Sequence, residues 1–139
     1  MANTFSHTAG RVFAGEHASP AYQAYQILHI GFTALPLIAG LDKFLHLLVN
    51  WNMYLSPTIA KLSPIPTDSL MLLVGAIEMV AGLLVAIKPR IGAAVVGAWL
   101  FLIIANLASM GNFLDIALRD LGLMLGSCAL WRLAYDYDR

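Results

Sequence analysis

Charge is scarce in this chain: 12% of its 139 residues are Asp, Glu, Lys or Arg, 60% are hydrophobic, and the mean hydropathy is +0.76. A water-soluble domain carries roughly 25% charged residues, so much of this surface is built to face something other than water. Formal net charge is zero. That removes the basic footprint that nucleic acid requires and the polybasic patch of an electrostatic membrane switch, and no nucleic-acid partner is expected. Cysteine is nearly absent. Cys128 alone excludes an internal disulfide, a CxxC redox pair and a cysteine zinc site, and it reads as a small buried apolar residue. The chain also lacks GxGxxG, P-loop and GxSxG patterns, and Ser109 and Ser127 have no identifiable base or orienting partner.

What is present is long apolar sequence. Four segments, at about 25–49, 69–87, 91–109 and 113–134, each approach the roughly 20 residues that cross a hydrocarbon core. They are long, unalternating and rich in Leu, Ala and Ile, which favours helices over the strands of a barrel. The expected fold is therefore all-α: a four-transmembrane-helix bundle over 21–139, preceded by a polar tail at 1–20. That tail holds no apolar run of the length a secretory signal needs, so it is expected to be retained. Ser56-Pro57, the run Ser63 to Asp68, Lys88-Pro89-Arg90 and Met110-Gly111-Asn112 punctuate the spans, with Thr67 or Asp68 as a cap for the second. Residues 50–67, mixing aromatic, apolar and proline residues, suit a segment lying at the membrane interface.

Lys and Arg set the expected orientation. Arg11, Lys88, Arg90, Arg132 and Arg139 fall on one side and only Lys61 on the other, which predicts that both termini are cytoplasmic. Tyr22, Tyr25, Trp131, Tyr135 and Tyr137 would form the inner aromatic belt, with Trp51 and Tyr54 at the outer one. An inner (cytoplasmic) bacterial membrane is the expected compartment, with the lipid bilayer as the first partner.

Six ionisable residues interrupt the apolar segments: Asp42, Lys43, His46, Glu78, Arg119 and Asp120. A charge at the centre of a membrane helix costs about 2.5–3.5 kcal/mol on insertion scales, so each implies a partner, a cavity or a site. Alternating helix directions carry all of them, with Asn106 and Asp115, into the outer half of the bundle. Asp42 and His46 are one turn apart, as are Asp115 and Arg119, so each pair shares a helix face. Glu78, flanked by Gly75 and Gly82, is expected to point into the bundle, and Gly122 with Gly126 offers a second close-contact face. Pro36 predicts a kink below Asp42.

The alternatives for these residues are open at this level. Arg119 can lock onto Asp120, Asp115 or Glu78 or serve a ligand; Lys43 can turn inward or snorkel; His46 and His29 can be packing residues or ligands. The two histidines lie roughly 25 Å apart along a helix, which excludes a bis-histidine haem within the chain. Asp42, His46 and Glu78 offer only one pair at ligand spacing, so no metal site is assigned. Lys43, His46, Glu78, Arg119 and Asp120 form the candidate polar cluster for cofactor binding.

AGLDKF (39–44), GAIEMVAGLLV (75–85), PRIGAAVVG (89–97) and ALRDLGLMLG (117–126) together resemble the DoxX-like family of small four-helix membrane proteins. The resemblance covers about residues 25–134 and places Lys43, Glu78, Arg119 and Asp120 at the polar positions typical of that family. Some members are associated with quinone-linked sulfur oxidation or other respiratory chemistry. The single cysteine departs from redox members with paired thiols. Two functions are consistent with this: an accessory or structural subunit of a larger respiratory or photosynthetic electron-transfer complex, not catalytic alone, or a quinone-associated oxidoreductase subunit. The chain alone is expected to bind no cofactor; a quinone, or a cofactor shared with a neighbouring membrane subunit, is the candidate.

Overall fold

The computed structural model describes residues 19–137, and the expected polar tail lies outside the described residues save for Ser19 and Pro20. Five α-helices and one 3-10 turn account for nearly all of it: α1 (Pro20–Leu45), the 3-10 turn (Trp51–Tyr54), α2 (Pro57–Leu62), α3 (Thr67–Ile87), α4 (Pro89–Met110) and α5 (Leu114–Tyr137). No described residue is in a strand. α1, α3 and α4 are each long and apolar enough to cross a membrane. α5 has the length but carries Asp115, Arg119, Asp120, Arg132 and Asp136, and it is not among them.

Local chemistry sets the helix limits. Ser19 accepts a hydrogen bond from the Tyr22 amide at 3.1 Å and Pro20 occupies the first turn, so α1 starts five residues before the expected 25. It also ends early, at Leu45 rather than 49. The Asp42 carboxylate takes the amides of Leu47 (2.9 Å) and Leu48 (3.1 Å), and His46 enters the left-handed region at φ 57°. Asp42 thus caps the helix that it was expected to interrupt. The helix runs unbroken through Pro36. α3 begins after Pro66, which holds the cap position and has no side-chain acceptor; the expected caps Thr67 and Asp68 fall inside the first turn, where the Asp68 carboxylate accepts from the Asn52 side chain.

The four long helices pack in a ring, α1 on α3, α3 on α4, α4 on α5 and α5 on α1. Neighbours run antiparallel: on α1 and α3, Gly40 meets Gly75 while Thr33 and Leu37 meet Gly82, the numbers running in opposite directions. The α3–α4 corner shows how the sequence supports this. Pro89 has no amide to give Val85, whose carbonyl would otherwise be orphaned at the helix end. His29 Nε2 donates to it at 2.8 Å from α1. His29 is thus a hydrogen-bonded packing residue, and the bond fixes the Nε2–H tautomer.

The apolar core, with Tyr25, Phe32, Val85, Val96, Leu100 and Leu130 at its centre, fills the end of the bundle where α1 and α4 begin. Tyr22, Tyr25 and Tyr137 close that end by ring contacts of 5.0–6.0 Å, so Tyr25 is buried rather than belted around the rim. Outside, Ile27, Ile30, Val80, Leu83, Phe101 and Leu102 are all more than half exposed. Large aliphatic and aromatic side chains turned outward from three apolar helices mark an integral membrane protein.

Candidate functional site

The opposite end, where α1 and α4 finish, holds the polar residues. Lys43 and Glu78, 3% and 7% exposed, form an ion pair at 2.8 Å between α1 and α3. Gly40 and Gly75 bring the two backbones together there, so close that a Cβ on Gly75 would lie 2.9 Å from the Lys43 Cβ. Trp51 folds back from the 3-10 turn. Its ring faces Lys43 Nζ at 3.8 Å while its Nε1–H donates to Asp42 Oδ2 at 2.8 Å. The other Glu78 oxygen faces Trp99 Nε1 from α4 at 3.5 Å, the long limit of a hydrogen bond. A buried ammonium therefore meets a carboxylate and an aromatic face, and the carboxylate a second indole. Both charges are satisfied inside the chain.

Asn106, near the end of α4, ties down the connection above this pair. Its Oδ1 accepts from the Ser56 amide at 2.9 Å and its Nδ2 donates to the Tyr54 carbonyl at 2.6 Å, while Tyr54 packs edge-on against Phe113 at 4.9 Å. Asn106→Ala removes both bonds and leaves a backbone amide and carbonyl without partners, an expected cost of about 1–3 kcal/mol. Hydrogen exchange should rise over residues 50–63 with the helical signal of the solubilised protein unchanged; unaltered exchange there would show that the clamp is redundant.

The second charged pair is open. Asp120 is buried, and its Oδ1 accepts from Arg119 at 3.2 Å, but the Arg119 side chain is 66% exposed. No hydrogen bond or ion pair joins Arg119 or Asp120 to Lys43 or Glu78 among the described residues. The single cluster expected from the sequence is thus two separate pairs and a clamp.

Several assignments change. Lys43 turns inward and does not snorkel, because the early end of α1 lets Trp51 roof it. Glu78 points into the bundle, as its glycine flanks implied, and its partner is Lys43 rather than Arg119. Arg119 binds the adjacent Asp120 instead of Asp115 one turn away. Beyond the helix end, His46 is exposed, and its ring makes no hydrogen bond to Asp42 or to either pair. Of the GxxxG glycines, Gly126 packs on Phe32 but Gly122 meets nothing within 4 Å. Cys128 is exposed rather than buried. No group of three metal-ligating side chains occurs among the described residues. Trp51 and Trp99 are the components that sequence reasoning missed: Trp51 was expected only in the outer aromatic belt and Trp99 was not singled out, and the fold aims both at buried charges. No family model, curated protein or solved structure matches the chain.

Proposed function

We propose that the chain is a four-span integral membrane protein with both termini cytoplasmic, and that it serves as an accessory, structural subunit of a larger electron-transfer assembly, respiratory or photosynthetic. The closure of Lys43 and Glu78 on each other carries this reading. A transport or catalytic site needs a charge available to its ligand, whereas this pair ties α1 to α3 and is covered by Trp51. Packing of α5 in the same ring as the three apolar helices supports the fourth span. Lys88, Arg90 and Arg132 stand near one end of the bundle and Lys61 near the other, in keeping with the proposed orientation. The likeness of four short motifs to DoxX-like proteins points the same way. A quinone-associated role would have drawn on Lys43 and Glu78 as free groups; with these paired, it keeps only Arg119 and Asp120.

Affinity-tagged protein extracted from its native membrane in a mild non-ionic detergent tests the proposal. Unlike membrane subunits should co-purify in fixed ratio. A species containing this chain alone would overturn it.

A further inference from the structure

At the end of the bundle where α4 begins and α5 finishes, two guanidiniums from different helices converge on one tyrosine ring. The Arg90 guanidinium carbon lies 3.8 Å from the centroid of Tyr135, and that of Arg132 lies 5.9 Å from the same centroid. Trp131 stands edge-on to Tyr135 at 5.2 Å, and the two rings are 39% and 41% exposed. Indole and phenol rings of this kind settle at the depth of lipid headgroups. Arg90, which has interactions besides this one, ties the start of α4 to the end of α5. Arg132 is placed differently. It is exposed and forms no hydrogen bond or ion pair among the described residues, Asp136 one turn away included. Its planar fork of N–H groups matches the oxygens of a phosphate. Lys88, also exposed, stands two residues before Arg90, so the described residues of this end set three cations against one acid, Asp136.

An apolar strip continues from this corner toward the middle of the bundle. Arg90, Ala94 and Ala98 recur every fourth residue along α4, and Tyr135, Trp131 and Cys128 recur at helical spacing along α5, all exposed. The two rows run side by side, because α4 and α5 are antiparallel and Arg90 meets Tyr135 at one level while Gly97 meets Ser127 at another. Beside Trp131 the α4 row carries only methyl groups, which leaves a shallow track between the helices. Free phosphate or an acidic peptide would use the cations and leave the track bare. A phospholipid uses both parts, with its phosphate on the guanidinium and an acyl chain along the alanines. Net positive charge selects the anionic kind, since a zwitterionic headgroup brings its own cation to the same place.

We infer that this corner binds one anionic phospholipid, its phosphate held by Arg132 in the field of Arg90 and Lys88. The inference rests on the membrane reading above, whose orientation turns this end toward the leaflet rich in anionic lipid. Native mass spectrometry of the delipidated full chain in a mild non-ionic detergent tests it. Phosphatidylglycerol should bind as a single copy, about tenfold more tightly than phosphatidylcholine, the scale of one hydrogen bond to a charged group. Arg132→Gln, at an exposed position, should abolish that preference with unfolding temperature in lipid-free detergent unchanged. Arg132→Lys should restore part of it, because the charge returns without the fork. Lys61→Gln, at the opposite end, should leave the affinity as it was. The inference is overturned if the two lipids bind equally, if Arg132→Gln keeps the preference, if Lys61→Gln lowers it as much, or if inorganic phosphate at equal concentration displaces the lipid. Alkaline extraction of native membranes separates the two readings: protein that stays in the pellet but shows no preference for phosphatidylglycerol defeats the lipid site alone, and protein released to the supernatant defeats the membrane assignment.

Discussion

Glu78→Leu is expected to lower the unfolding free energy of the solubilised protein by about 3–5 kcal/mol, the cost of leaving a buried charge without its partner. Lys43→Met should do the same. The double variant, which removes both charges and leaves volumes near those of the originals, should recover most of the loss, because an apolar pair of matched shape often equals or exceeds a buried ion pair in stability. The Trp51 ring over Lys43 adds a third participant, worth about 2 kcal/mol where the cation is desolvated, and this contact is lost in the double variant as well. Thermal unfolding of the four proteins in one detergent gives the coupling directly. If the double variant is as unstable as either single one, the pair is not an independent unit and its neighbours depend on the charges. If it is stable and still co-purifies with its assembly, the ion pair is structural, as proposed. A stable double variant that no longer assembles would instead make Lys43 and Glu78 part of a recognition site.

Much of this end of the molecule was legible in the sequence and some was not, for reasons that can be traced to particular residues. The inward direction of Glu78 followed from Gly75 and Gly82, because small residues on one helix face bring a neighbouring backbone close and define the buried side. The gathering of polar residues at one end followed from alternating helix direction alone. Their pairing did not follow. Partner choice turned on where α1 stops, and that was set by Asp42, whose side chain captured the next two amides after the helix and so converted an apparent intramembrane charge into a cap. Reading Asp42 and His46 as a helical pair presupposed that the helix continued beyond both. Once it ends at Leu45, Trp51 becomes the neighbour of Lys43, a contact eight residues away through an irregular segment that no helical spacing rule describes. The early start of α1 was available in Ser19-Pro20, a cap and first-turn signature, but hydropathy outweighed it. In α5 the five charges dilute the apolar signal, and its outward side became visible only when burial showed which face of the helix the bundle had left uncovered.

The second large effect is expected from adding one methyl group. A Cβ on Gly40 would lie 2.5 Å from the Gly75 carbonyl oxygen and 2.8 Å from Met79 Cγ, and one on Gly75 would lie 2.7 Å from the Gly40 carbonyl oxygen. Met79 is flexible and can give way, but a backbone carbonyl in a helix cannot move without carrying the helix with it. Gly40→Ala and Gly75→Ala should therefore push α1 and α3 apart at this level, an overpacking cost of about 1–3 kcal/mol each. The shift acts on the ion pair directly, since Lys43 lies less than one turn beyond Gly40 and Glu78 less than one turn beyond Gly75, so separating the backbones draws Nζ from Oε2 and adds part of the unpaired-charge penalty. Gly31→Ala is the matched comparison, because Gly31 is on the same helix and nothing lies within 4 Å of its added Cβ. There the intrinsic helix preference of alanine acts alone, and the variant should gain roughly 0.5–1 kcal/mol. Opposite signs for the same chemical change on one helix, measured by thermal unfolding in one detergent, would locate a close backbone contact of α1 with α3 at Gly40–Gly75. Equal effects at Gly31 and Gly40 would mean that the two helices do not approach as closely as the geometry requires. If the close approach exists to hold Lys43 against Glu78, Gly75→Ala should also cost less in the Lys43→Met, Glu78→Leu background than in the native sequence, since no ion pair then remains to be drawn apart.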